Sequence, residues 1–137
     1  KNVEMKYAAY GPEVVEQKKI EEASTTHVSV IKGLLGKNPA AAQMWFSQFQ
    51  DQIDPDLHSE ISTKIEGALF TVTSINVNEA VYQHYGSDLA KGRGMVKQQA
   101  EKLYPNQPAM QKKMVKEYET HWASEEKVRK RIMIWNS

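Results

Sequence analysis

Histidine and glutamate offer the most versatile chemistry in this sequence, and one pair has the spacing of metal ligands. Glu117 and His121 lie four residues apart and would share one face of a helix. A zinc or di-iron site needs further ligands, and the HExxH and ExxH motifs that supply them are both missing. The pattern favours hydrogen-bonded or solvated histidine, and we expect no metal site. A metal or haem protein centred on His121 or His27 is the third alternative for the function.

Residues for covalent or acid–base catalysis do not occur in a suitable arrangement. The sequence contains no cysteine, which excludes disulfides, thiol catalysis and cysteine zinc sites. It also has no GxSxG nucleophile motif. The adjacent carboxylates Glu21–Glu22 and Glu125–Glu126 would point about 100° apart on a helix, so neither pair can share a proton. We therefore predict that the protein is not an enzyme and needs no cofactor.

One glycine-rich basic stretch has the composition of an anion site. In Lys91-Gly92-Arg93-Gly94, backbone N–H groups near a helix start could hold a phosphate beside the two cations. The stretch lacks the spacing of a Walker loop or a dinucleotide fingerprint. Solvated charges at a helix start are the favoured interpretation, and Lys91 and Arg93 are candidate anion-binding residues.

A denser basic cluster lies near the end of the sequence. Lys127, Arg129, Lys130 and Arg131 place four cations within five residues, enough to contact phosphates or an acidic partner. Cations near a helix C-terminus are also stabilised by the helix dipole, by about 0.3–1 kcal/mol each. The structural role is favoured. The second alternative for the function is a nucleic-acid-associated protein that uses this cluster together with Arg93 and Lys97.

The sequence has more large amphipathic aromatics than a minimal helical bundle requires, with three Trp and six Tyr. Such side chains are favoured at partner surfaces, where one end is apolar and the other is wet. Two of the tryptophans belong to the last predicted helix, together with the basic cluster. We predict a partner-binding surface on that helix, formed by Trp122, Lys127, Arg129, Lys130, Arg131 and Trp135.

Composition places the chain among globular proteins. Of its 137 residues 40% are hydrophobic and 26% charged, and the net charge is only +1. The charge is divided unevenly: residues 1–70 carry 7 Lys and Arg against 10 Asp and Glu, whereas residues 71–137 carry 11 against 7. The two parts therefore have net charges of −3 and +4. No run approaches the roughly 18 apolar residues of a membrane span.

Four of the five prolines lie where helices are expected to begin. Pro12, Pro39, Pro55 and Pro108 suit the first position of a helix, where the missing N–H costs nothing. Pro105 is expected to stop the helix before it.

Between these marks, apolar residues recur with helical spacing, which predicts an all-α bundle of five or six helices in one domain over residues 1–137. Residues 1–11 are expected to be extended or disordered. We expect one helix from Pro55 to about residue 77, a separate short helix over Asn78–Tyr85, and Ser87 as the cap of the next. The last helix is expected to run from Pro108 to about Trp135. The predicted core includes Ile61, Ile65, Val72, Met114, Tyr118 and Trp122.

Taken together, these features predict a non-enzymatic helical interaction protein that binds a protein partner. It would serve as an adaptor, an accessory or effector factor, or an extracytoplasmic sensing domain. The chain begins at Lys1 rather than Met, which favours slightly a periplasmic or secreted protein, although a trimmed cytosolic domain fits as well. The sequence leaves the oligomeric state open.

Overall fold

The computed structural model of the chain describes residues 2–136, and these are almost entirely helical. The described part contains six α-helices and no β-strand, which confirms the all-α prediction. The helices are α1 (Asn2–Tyr7), α2 (Pro12–Leu35), α3 (Pro39–Phe49), α4 (His58–Tyr85), α5 (Leu89–Leu103) and α6 (Pro108–Asn136). Short 3-10 turns cover Ala8–Tyr10, Gln50–Gln52 and Pro55–Leu57. No helix in the described range is long and apolar enough to cross a membrane.

Proline marks the start of three helices as predicted. Pro12, Pro39 and Pro108 occupy the first residues of α2, α3 and α6. Before α3, the Asn38 side chain accepts a hydrogen bond from the Ala41 N–H at 3.1 Å, as an N-cap does. Proline and cap together account for the position at which this helix begins.

The fourth proline starts a 3-10 turn instead of an α-helix. Asp54 caps this turn by accepting from the Asp56 N–H at 3.0 Å, and α4 begins only at His58. The His58 ring donates through Nε2 to the carbonyl oxygens of Gln50 and Ile53, both at 3.0 Å. This histidine therefore ties the start of α4 to the preceding turn.

Residues 2–10 are helical, whereas the sequence analysis expects residues 1–11 to be extended or disordered; Lys1 lies outside the described residues. An isolated helix as short as α1 would not be stable, so its order depends on packing. Val3 is buried, and Glu4 forms an ion pair with Lys19 of α2. These contacts with α2 give the segment a reason to be helical that its own sequence does not provide.

Helix α4 is continuous through Asn78, so the separate short helix expected there does not exist. Asn78 does not cap a new helix because its side chain is buried and donates to Ser74 Oγ at 3.3 Å. The helix ends at Gly86, which has φ of +55° and donates its N–H to the Tyr82 carbonyl at 2.7 Å. The cap of α5 is Asp88, one residue after the Ser87 that was expected.

Contacts between α-carbons group the chain into two units, Lys1–Phe70 and Thr71–Ser137, each with its own buried core. In the first unit, the core joins α2, α3, the following turn and the start of α4. Its buried members are Ile31, Ala42, Phe46, Ile53, Ile61 and Ile65. The prediction that Ile61 and Ile65 are core residues is confirmed.

In the second unit, α5 and α6 pack together beside the end of α4. Met114 and Tyr118 are fully buried, as predicted. The prediction for Val72 is wrong, because its side chain is 43% exposed. The residues of α4 that the second unit buries are Ser74, Asn78, Val81 and Tyr82.

Candidate interaction surface on the last helix

The C-terminal part of α6 contains no buried residue in the described range. Glu126 is the last partly buried residue of the helix, and every residue from Lys127 to Asn136 is exposed. Large apolar side chains are among them: Ile132 is 55% exposed and Trp135 is 88% exposed. A folded chain that exposes several apolar side chains on one short helical segment has a surface suited to binding another molecule.

Three apolar residues of this segment form a stripe. Val128, Ile132 and Trp135 are spaced i, i+4 and i+7, which places them on one face of a helix with 3.6 residues per turn. Lys127 and Arg131 flank this stripe on one side, whereas Lys130 lies on the opposite face of the helix. Within residues 2–136 none of the three cations pairs with a carboxylate. We call the stripe together with Lys127 and Arg131 the α6 surface.

Arg129, the fourth cation of the basic cluster, is held within the second unit. Its Nη1 lies 3.5 Å from Glu126 Oε2, and its guanidinium lies over the Tyr82 ring at 5.6 Å from the centroid. The Tyr82 hydroxyl donates to the same carboxylate oxygen at 2.6 Å. Arg129 therefore balances a half-buried carboxylate, and it is less available to a partner than its neighbours are.

The Tyr82–Glu126 pair has an electrostatic consequence. Burial of the phenol, its hydrogen bond to Glu126 and the charge of that carboxylate raise the pKa of Tyr82 to about 12. All three effects disfavour the phenolate. Tyr82 is therefore a neutral hydrogen-bond donor at any ordinary pH.

Trp122 is also engaged inside the second unit. Its indole Nε1–H donates to the Gly86 carbonyl at 3.0 Å, and its ring is partly buried. This bond satisfies one of the carbonyls at the end of α4. Of the six residues predicted to bind a partner, Trp122 and Arg129 thus support the fold, while Lys127, Lys130, Arg131 and Trp135 lie in the exposed segment.

The predicted anion-binding residues already have acidic partners. The Asp88 side chain accepts from the backbone N–H of Lys91 at 3.1 Å and lies 4.0 Å from its ammonium group. Arg93 Nη2 lies 3.1 Å from Glu119 Oε2. Because Asp88 occupies the N-terminus of α5, an anion there would compete with a carboxylate that belongs to the chain.

His27 uses both of its ring nitrogens. The Trp45 indole N–H donates to Nδ1 at 3.1 Å, and Nε2 lies 3.1 Å from Gln52 Oε1. An indole can only donate, so Nδ1 must be the acceptor and Nε2 carries the hydrogen. The Phe49 ring stacks on the imidazole at 4.5 Å between centroids. A metal or haem ligand at His27 would have to break this arrangement.

Glu117 and His121 have the spacing of ligands but contact different groups. Glu117 Oε1 accepts from the Ser74 hydroxyl at 2.6 Å, whereas the His121 ring packs edge-on against Tyr82 with centroids 5.7 Å apart. Across residues 2–136, no three His, Cys, Asp or Glu side chains are grouped so that they could hold a metal ion.

Two buried polar atoms of the second unit have no hydrogen-bond partner among the described residues. They are Asn78 Oδ1 and the Tyr118 hydroxyl. Burial, with a smaller effect from the charge of Asp88, raises the pKa of Tyr118 above its ordinary value.

A groove in the first unit was not predicted from the sequence. It lies between α2 and the turns that follow α3, and its volume is about 540 Å³. Ile20 and Leu57 contribute apolar surface, while Glu21, Asp51 and Asp54 contribute carboxylates. These residues are separated by some 30 positions in the sequence, so only the folded chain brings them together. We call this feature the acidic groove.

Comparison of the chain with protein-family models, curated proteins and solved structures gave no match.

Proposed function

We propose that this protein is a non-enzymatic interaction protein that binds a protein partner through the α6 surface. It would act as an adaptor or accessory factor, or as the sensing part of a larger protein. The observation that carries the proposal is the exposed stripe of Val128, Ile132 and Trp135, flanked by Lys127 and Arg131, which pair with no carboxylate within residues 2–136. The remaining predicted binding residues, Trp122 and Arg129, support the helix from which this surface extends.

The geometry of the stripe matches a known mode of protein recognition. Helices that bind in grooves present apolar anchors at positions such as i, i+4 and i+7. Tryptophan is enriched among the side chains that dominate binding energy. Trp135, with 88% of its surface exposed, has the most area to bury.

A protein partner is favoured over nucleic acid for two reasons. Arg93 and Arg129, two of the six cations that would contact phosphates, are already paired with Glu119 and Glu126. Binding to phosphates would also leave the apolar stripe exposed to water. The surface is better matched to a partner that offers an apolar groove with carboxylates at its edge.

The proposal is tested by comparing what three forms of the protein retain from an extract of the source cells. The forms are the wild type, the I132S/W135S variant and an M44S/I75S control, which removes two exposed apolar side chains outside the α6 surface. Quantitative mass spectrometry should find a protein that wild type and control retain equally. The I132S/W135S variant should retain it about tenfold less, a loss of roughly 1.4 kcal/mol. Equal retention by all three forms would refute the proposal.

A further inference from the structure

The acidic groove and the α6 surface have complementary properties. The groove combines the exposed apolar side chain of Ile20 with three carboxylates along its edge. The α6 surface combines an apolar stripe with two cations that pair with no carboxylate in the described part of the chain. Each surface therefore offers what the other lacks: the groove has a cavity and negative charge, and the helix has a protruding side chain and positive charge.

The three carboxylates of the groove differ in whether they already form an ion pair. Glu21 pairs with Lys18 at 3.1 Å, an exposed pair of the kind that contributes little to stability. Asp54 accepts from the Asp56 N–H and forms no ion pair within residues 2–136. Asp51 is exposed and pairs with no cation in the described part of the chain. The groove thus keeps an excess of negative charge that can attract a basic partner.

The net charges of the two units are also opposite in sign. The first unit carries a net charge of −3 and the second +4, and the boundary at residues 70 and 71 is also the boundary between the two units. Two copies of the chain therefore attract each other when the first unit of one approaches the second unit of the other. Identical units brought together would repel.

From this complementarity, we infer that the acidic groove is a docking site for the α6 surface of a second copy of this chain. The inference rests on the proposed function, because it uses the same surface and names its partner. Trp135 enters the groove against Ile20 and Leu57. Lys127 and Arg131 lie along the carboxylates at the edge.

The two docked surfaces are different from each other, so the contact is heterologous. It closes into a dimer if both copies exchange their helices, and otherwise it produces open chains. In either case the mass in solution rises with protein concentration. Because the contact pairs opposite charges near the surface, it weakens as salt increases.

The test uses two charge-reversed variants that are each unable to pair with themselves. E21K/D51K makes the groove basic, and K127E/K130E/R131E makes the α6 surface acidic. Each variant alone places like charges against each other and should be monomeric by sedimentation velocity. An equimolar mixture restores both pairings, because the wild-type groove meets the wild-type helix and the two reversed surfaces meet each other. The mixture should recover the mass of the wild-type complex.

Matched controls separate this specific pairing from a change of net charge. E66K/E79K and K97E/K102E/K112E alter exposed side chains outside both surfaces and change the net charge by the same amounts. Both controls should still reach the mass of the wild-type complex at saturating protein concentration, because they leave the two docking surfaces intact. Circular dichroism establishes that every variant keeps its helical content, since all the substitutions are at exposed positions.

The wild type is measured at low and moderate salt, up to about 0.1 mM protein, where a micromolar complex is saturated. A monomer at every concentration would overturn the inference, as would a mixture of the two reversed variants that stays monomeric. If association fails but retention from extract still depends on Ile132 and Trp135, this inference falls and the proposed function stands. If that retention is also unaffected, both fall.

Discussion

Tyr118 of α6 lies directly against the α-carbon of Gly92 in α5. A Cβ atom at position 92 would be 2.7 Å from Tyr118 Cζ and closer still to the hydroxyl oxygen. Gly92 is helical, so the position requires glycine for space rather than for backbone conformation. This close approach brings together the two helices that build most of the second unit, including the helix that carries the α6 surface.

Substitution of Gly92 by alanine should therefore destabilise the protein despite the better helix propensity of alanine. We expect a loss of about 2 kcal/mol or more in the free energy of unfolding, as overpacked cores show. Gly94 provides the control on the same helix, because nothing lies within 4 Å of a Cβ there. G94A should stabilise by up to about 1 kcal/mol. Urea denaturation measures both, and a similar effect of the two substitutions would contradict the close contact.

Removal of the Tyr118 hydroxyl should change the free energy of unfolding in the opposite direction from most core substitutions, which lower it. The hydroxyl is buried without a partner in the described part of the chain, and such a group costs about 1–3 kcal/mol. Tyr118→Phe should leave stability unchanged or raise it by about 1 kcal/mol in thermal or urea unfolding. It should not rescue G92A fully, because Cζ remains in place. Clear destabilisation by Y118F would mean that the hydroxyl makes a bond which the structure lacks.

The pairing of Tyr82 with Glu126 predicts a loss of stability at alkaline pH. Folding raises the pKa of Tyr82 from 10.0 to about 12, so both states are protonated below pH 10. Between pH 10 and 12 the unfolded chain loses the proton while the folded chain keeps it. The free energy of unfolding should therefore fall with rising pH, by at most about 1.4 kcal/mol per unit.

The contribution of Tyr82 is isolated by comparison with Tyr82→Phe, which cannot ionise. The difference in stability between wild type and variant should be constant up to pH 10 and then change in favour of the variant. Urea unfolding at a series of pH values measures it. Parallel curves from pH 9 to 12 would show that the phenol is not held neutral by folding.

The contact between His27 and Trp45 predicts one tautomer of the imidazole. Since Nδ1 accepts from the indole, the hydrogen should reside on Nε2, which nitrogen-15 NMR of the ring can measure at about pH 8. Trp45→Phe removes the donor, so the tautomers should mix and stability should fall by about 1 kcal/mol. A hydrogen found on Nδ1 in the wild type would exclude the bond.

Helix starts could be predicted from the sequence because they depend on local chemistry. Proline at the first position and an amide cap at Asn38 act over a few residues, and the structure has both where they were expected. The interior of α4 could not be predicted in this way. Ser74 and Asn78 are polar by type, yet they are buried because the Ser74 hydroxyl donates to Glu117, 43 positions away. Val72 and Ile75 are apolar but have no core to face, and both are exposed.

The candidate site was predictable in part for the same reason. The cations and Trp135 follow each other closely in the sequence, so their position on one helix could be read from it. The acidic groove combines α2 with turns some 30 positions later, and no local pattern indicates it. The different surroundings of the two tryptophans of α6 also required the structure, because the bond from Trp122 to the Gly86 carbonyl joins residues 36 positions apart.

These two tryptophans should respond oppositely to substitution. Trp122 is partly buried and donates to the Gly86 carbonyl, so Trp122→Ala should cost about 3–5 kcal/mol or prevent folding. Trp122→Phe keeps the ring volume in part and removes the bond, for a loss of about 1–2 kcal/mol.

Trp135→Ala removes a side chain that is 88% exposed, so the free energy of unfolding should change by less than about 0.5 kcal/mol. Fluorescence should show emission of exposed indole lost from the W135A variant and retained in W122F. If W135A were as destabilising as W122A, Trp135 would belong to a packed core, and the α6 surface could not be a free binding surface.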